Sequence, residues 1–183
     1  KVHPSASIPQ AQPDQGLRIV STVFPQVFQD DGRPGQGGQG VSASGALDMG
    51  ALHRANRAVG NPSGDPALEI TLGPVRLRAD RPMVLALTGA GTAQVAGQTV
   101  APGAAFALDA GDELRIDPPQ AGMRSYLALR GGYDVAPVLG SAATDTLAFV
   151  GPEALKSGAV IAPANRPATA VGAPEDQPAL PKP

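Results

Sequence analysis

Glycine and proline interrupt this chain so often that most of it has room only for short elements. Of 183 residues, 23 are glycine and 20 are proline. Glycine readily takes left-handed backbone, and proline removes an N–H donor, so both end regular structure. Many of them fall in the two tails, and many others sit at turns between short apolar runs. This arrangement predicts a turn-rich β domain. Residues 17–23, 67–72 and 75–78 read as strands, the last two separated by the turn signal Gly73-Pro74. Residues 83–87 are continuously apolar and read as a buried strand. Residues 93–100 read as a hairpin turning at Ala96-Gly97, and residues 106–108 with 113–116 as another around Gly111-Asp112. Residues 124–130 form the best central strand, stopped by Gly131-Gly132.

One substantial helix is expected over about 45–59. Ser44 is its candidate N-cap, and Asp48 lies near its positive end. Leu47, Ala51, Leu52, Ala55 and Val59 form an apolar stripe. Gly60 suits the position after the helix, and Pro62 prevents continuation. A second short helix is expected at 152–156. The expected fold is therefore mainly β, a barrel-like domain with one substantial helix. A closed or partly closed barrel would protect the strand edges. Residues 1–16 have no periodicity and read as a flexible lead-in. Residues 17–161 form the body, and residues 162–183, ending PEDQPALPKP, read as a Pro/Ala-rich linker.

Composition narrows the partners. Fourteen basic residues against 16 acidic ones give a net charge of -2, with no basic block, so nucleic acid and anionic membranes are poor fits. No apolar run is long enough to predict a membrane span. There is no cysteine, and the two histidines, His3 and His53, are far apart in sequence. A zinc site is therefore not expected, and the chain reads as cytoplasmic. The chain starts with a lysine and shows no signal-peptide pattern, which reads as a segment removed or lying elsewhere.

Polar groups concentrate between residues 29 and 73. Gln29-Asp30-Asp31-Gly32-Arg33-Pro34-Gly35 reads either as a stiffened turn or as an anion grip, with Arg33 as a planar fork and Asp30 to orient it or handle a proton. The glycines of residues 35–40 line up amides but lack the Lys-Ser/Thr of a nucleotide loop. Ser44-Gly45 is either a helix cap or part of an oxyanion pocket at the helix start. No histidine is placed to activate Ser44, which argues against a serine hydrolase. Asn56 and Asn61 flank the helix end, where both can cap turns. Glu69 either faces water or is buried, and in the second case it needs Arg33 or another partner. Thr88, at the end of a buried strand, marks either a turn or the rim of a cleft.

Taken in order, the pieces QD-x-GRPG, G-V-x-x-SGA-x-D, AN-x-x-VGN, LE-x-T-x-GP and LTGA resemble the carboxyltransferase subdomain A/B family, also called allophanate hydrolase subunit 2. Later pieces, among them Tyr126-Leu127-Ala128 and Leu139-Gly140-Ser141, extend the resemblance to about residue 161. Ser42 stands where the family usually has proline, and Phe28 and Asp31 also depart from its pattern. The resemblance implies the N-terminal half of a longer protein, with a cyclophilin-like second half as its missing partner. It implies a subunit of an ATP-dependent amide hydrolase complex of 5-oxoprolinase type. Its alternatives are half of a biotin-dependent urea carboxyltransferase, or a non-catalytic regulator of a sister subunit. The expected partners are a small amide substrate and a sister subunit of the carboxyltransferase C/D type (allophanate hydrolase subunit 1). No cofactor is expected on this segment itself. ATP would be used by the complex, and biotin, in the alternative, would come from a separate carrier. The residues implied for catalysis are Asp30, Arg33, Asp48 and Glu69. Those implied for substrate binding are Ser44, Gly45, Asn61 and Thr88, and no metal ligand is implied.

Overall fold

The computed structural model describes residues 5–6 and 15–178. Most of the predicted lead-in lies outside the described residues. The strands are β1 (Ser5–Ala6), β2 (Leu17–Thr22), β3 (Val27–Gln29), β4 (Ala67–Thr71), β5 (Val75–Ala79), β6 (Met83–Gly89), β7 (Thr92–Val95), β8 (Gln98–Thr99), β9 (Ala105–Leu108), β10 (Glu113–Asp117), β11 (Arg124–Leu129), β12 (Gly151–Pro152) and β13 (Val160–Ile161). The α-helix, α1, spans Met49–Ala58, and a single 3₁₀ turn covers Gly37–Gln39.

The strands form a six-stranded sheet in the order β13-β2-β5-β10-β7-β8 and a five-stranded sheet in the order β3-β4-β11-β6-β9; β1 pairs with β12 alone. Among the described residues the fold is mainly β with one α-helix. The expected barrel is corrected: both large sheets are open, and each ends in edge strands.

The burial pattern explains the layering. In β5, Val75, Leu77 and Ala79 are buried while Arg76 and Arg78 are exposed, and β10 alternates in the same way. A sheet of such strands has one dry face and one wet face. By contrast, β4 and β11 are buried on both faces. Leu68, Ile70, Leu127 and Leu129 join Val75, Leu77, Leu114 and Ile116 of the other sheet in one core. Ala67, Tyr126 and Ala128 point the opposite way, onto Ala51, Leu52 and Ala55 of α1. The molecule is thus a stack of sheet, sheet and helix, with β11 central in the middle layer.

Four local expectations are corrected. The helix starts at Met49 rather than 45, and its N-cap is Asp48, whose Oδ1 accepts the Ala51 N–H at 2.9 Å. Leu47, expected in the apolar stripe, is 71% exposed. Residues 106–108 and 113–116 are not a hairpin, because β9 pairs with β6 and β10 with β5 and β7, in different sheets. Residues 152–156 form no helix; Leu155 instead bridges to Gln26. Beyond β13 the chain has no regular element up to residue 178, but it is tied to the body. Thr169 N–H donates to Gly60 O at 2.8 Å, Gly172 N–H to Ala58 O at 3.1 Å, and Arg57 grips Glu175 with two 2.7 Å bonds. No helix among the described residues is long and apolar enough to cross a membrane.

Candidate functional site

The loop from β3 to α1, residues 30–48, carries most of the predicted site residues. The structure separates them into three groups.

Asp30 and Arg33 face inward. Asp30 is buried, and its carboxylate accepts from Gly32 N–H (2.8 Å), Ser141 Oγ–H (2.6 Å) and Ala142 N–H (2.6 Å). Arg33 is 1% exposed. Its Nε donates to Val138 O at 3.3 Å, and its Nη2 to Ser141 O at 3.3 Å and to Ala143 O. Both residues therefore fix the 138–143 loop against the start of the loop that follows β3. Gly45 belongs to the same structure: at φ 92° its backbone lies against Gly32, where a Cβ would sit 3.1 Å from Gly32 N and Cα.

Ser44 lies near Asp145, which is one of the residues, 144–146, 149–154 and 156, that form a cleft of about 490 Å³. The Oγ of Ser44 is 3.0 Å from that of Ser42, which donates to Asp145 Oδ2 at 2.6 Å. Asp145 Oδ1 also accepts from the Leu147 and Ala148 N–H groups, each at 2.9 Å. The Ala148 amide foremost, and then the Ser42 hydroxyl, hold the Asp145 carboxyl down at about 2. A carboxylate so well satisfied is a poor base and a firm anchor.

Asp48 and Glu69 meet at the helix start. Glu69 is buried, and its partner is Arg124 rather than Arg33, with Nε donating to Oε1 at 3.1 Å. Glu69 Oε2 accepts from Tyr126 Oη–H (2.7 Å) and Leu47 N–H (3.2 Å). Tyr126 Oη in turn accepts the Asp48 N–H at 2.8 Å. Burial above all, with Glu69 adding to it, raises the Tyr126 pKa far above that of a free phenol. The phenol therefore stays neutral and able to donate. This network joins a carboxylate, a guanidinium and a phenol to the positive end of α1. Arg124 is partly exposed, so the network reaches the surface beside Leu47 and the half-exposed Met123.

The two remaining residues lie apart from these groups. Asn61, at the far end of α1, donates to Leu129 O (2.8 Å) and accepts from Gly131 N–H (3.0 Å). Thr88 pins the helix to β6 through Ala51 O at 2.6 Å. Arg124, Tyr126 and Asp145 escape a reading of the sequence. Tyr126 and Arg124 share Glu69's face only through the β4–β11 register, in which Tyr126 pairs with Glu69 and Arg124 with Thr71, and no local signal specifies that register.

The model of the carboxyltransferase domain, subdomain A and B, matches residues 39–183. The chain belongs to this family. It is 45% identical over 136 residues to the C subunit of 5-oxoprolinase from Escherichia coli, covering 74% of this chain and 44% of that protein. It is 39% identical over 122 residues to urea amidolyase of Saccharomyces cerevisiae, covering 66% of this chain but 7% of that protein. Among solved structures, TTHA0988 superimposes with a TM-score of 0.88 at 32% identity, over 99% of this chain and 38% of that one. The K. lactis urea amidolyase superimposes with a TM-score of 0.79 at 31% identity, over 92% of this chain and 11% of that one. This member of the carboxyltransferase A/B family thus spans less than half the length of each of these proteins.

Proposed function

We propose that this chain is part of a 5-oxoprolinase-type subunit, which handles a small cyclic amide inside an ATP-consuming complex with a sister subunit of the C/D type. The observation that carries this reading is the 45% identity to the 5-oxoprolinase protein of Escherichia coli, of which the chain covers a larger share than it does of the urea amidolyases. The helix-start network suits the chemistry. Arg124, held by Glu69, offers a guanidinium to a substrate carboxylate or carbonyl, and Tyr126 adds a neutral donor. Leu47, whose N–H meets Glu69, and Met123, which precedes Arg124, are both exposed and suit a face that a sister subunit or a further part of the protein covers.

The test is reconstitution of the full-length protein with its sister subunits, following glutamate release from 5-oxoproline with ATP. The complete complex should turn over, and the chain alone should not. Arg124→Ala should lower kcat/KM by about tenfold or more while the fold is retained. Absence of glutamate release from the complete complex would refute the reading. Carboxylation of urea from a separate biotin carrier would place the protein with the urea carboxylases, the reading supported by its likeness to the K. lactis structures.

A further inference from the structure

We infer that residues 167–178 form a strap that leaves the body and re-seats on it as one unit, without unfolding of the sheets, and that the Arg57–Glu175 ion pair is its clasp. This inference is independent of the oxoprolinase reading. None of residues 167–178 is buried, and none joins either hydrophobic cluster of the core. Pro167, Pro174 and Pro178 offer no N–H for hydrogen bonding. A segment that buries so little apolar surface relies on polar contacts, and such segments open at lower free energy than a packed core.

The root of the strap is fixed. Asp134 N–H donates to Ala162 O at 2.8 Å, Ala164 N–H to Gly132 O at 2.9 Å and Arg166 N–H to Gly131 O at 3.0 Å. Beyond this root the strap crosses the C-terminal end of α1. Thr169 N–H donates to Gly60 O and Gly172 N–H to Ala58 O, and Arg130 Nη1 bridges Val59 O (2.8 Å) and Thr169 O (2.7 Å). Glu175 then takes the fork of Arg57, and Gln177 Oε1 accepts from Gly89 N–H, at the end of β6, at 3.3 Å. Two glycines permit the close approach. A Cβ on Gly60 would sit 2.5 Å from Thr169 O, and one on Gly172 would sit 2.8 Å from Arg57 O.

Each of these contacts is modest, because water takes its place on release. Thr169, Gly172, Glu175 and Gln177 lie close along the chain, so losing one contact frees its neighbours and the segment parts as a unit. The bidentate pair of Arg57 and Glu175 is the strongest of them. Release uncovers Ala58 O and Gly60 O at the negative end of α1 and frees the Arg57 fork. These are acceptors and a donor that the seated strap covers. The network of Asp48, Glu69, Arg124 and Tyr126 lies at the other end of α1, and the strap makes none of its bonds. Release therefore leaves that network in place.

The test is native-state amide hydrogen exchange on the intact chain. The amides of Thr169, Gly172 and Gly89, the last remote from the strap in sequence, should share one opening. That opening should be at least about a hundredfold more frequent than the one that exposes the amides of β11. Glu175→Gln undoes the clasp and should speed exchange at all three positions by about threefold, with β11 unchanged. Glu113→Gln, which breaks an exposed ion pair with Arg76 on the six-stranded sheet, should alter none of the three. Exchange at the three amides as slow as in β11, three unrelated rates, or a Glu175→Gln variant that exchanges like the parent each overturn the assignment.

Discussion

Asp30 shows how a residue that looks chemical can be structural. Its carboxylate is consumed by Gly32, Ser141 and Ala142, so it holds one loop against another and has little left for a substrate. Asp30→Ala should lower the unfolding free energy by about 3 kcal/mol, since it strands buried donors that had charge-assisted bonds. Urea denaturation measures this, and a loss well under about 1 kcal/mol would show that the loop does not depend on the carboxylate. Asp145 makes a pH-dependent version of the same contact. Its carboxyl sits at about 2 in the folded chain and near about 3.9 when unfolded. Its contribution is therefore complete above about pH 4 and is lost as pH falls towards 2. Ser42→Ala removes one of the donors responsible. The variant should be less stable than the parent near neutral pH, and the two stability curves should converge as pH falls towards 2. A gap that stays constant with pH would mean that Ser42 acts through packing.

The start of α1 tests the reading of an element. Both Ser44 and Asp48 are cap residue types, and the apolar stripe from Leu47 favours the first. The structure chooses the second because Leu47 and Asp48 give their N–H groups to Glu69 and Tyr126. Those contacts come from β4 and β11, and they hold the preceding chain out of the helix, with Ser44 at φ 52°. Asp48→Ala should cost about 1 kcal/mol of stability and Ser44→Ala less than half of that, as read by thermal unfolding. The reverse order would place the functional cap at Ser44 after all. Strands with a strict alternation, such as β5 and β10, and the apolar β6 are legible, because one-sided or complete burial writes itself into the sequence. Strand partners are not legible. Gly111-Asp112 looks like a hairpin turn, yet the chain uses it to cross from one sheet to the other. The candidate site suffers in the same way: a buried Glu69 calls for a cationic partner, but Arg124 reaches it only through the β4–β11 pairing.

At the scale of the whole molecule, the two tyrosines report on the two interfaces of the stack. Tyr126 lies between the five-stranded sheet and α1. Tyr133 lies in the core between the sheets, its ring 5.3 Å from that of Phe28 and its Oη–H donating to Leu127 O at 3.0 Å. Burial raises the pKa of both well above the ordinary phenol value. The chain has two tyrosines and no tryptophan, so its near-ultraviolet signal comes from these interfaces. In the unfolded chain both phenols ionise near about pH 10. In the folded chain they do not, so the stability they support is intact below about pH 10 and falls as the pH rises further. Tyrosinate absorbance should therefore stay absent until the alkaline unfolding transition and then appear with it, coincident with the loss of far-ultraviolet circular dichroism. Tyr126→Phe should leave a single titrating ring that still ionises only on unfolding, because Tyr133 is sealed between the sheets independently of the helix. Ionisation of that remaining ring near pH 10, with the circular dichroism still native, would mean that the two sheets part without unfolding, and the single cooperative stack would have to be abandoned.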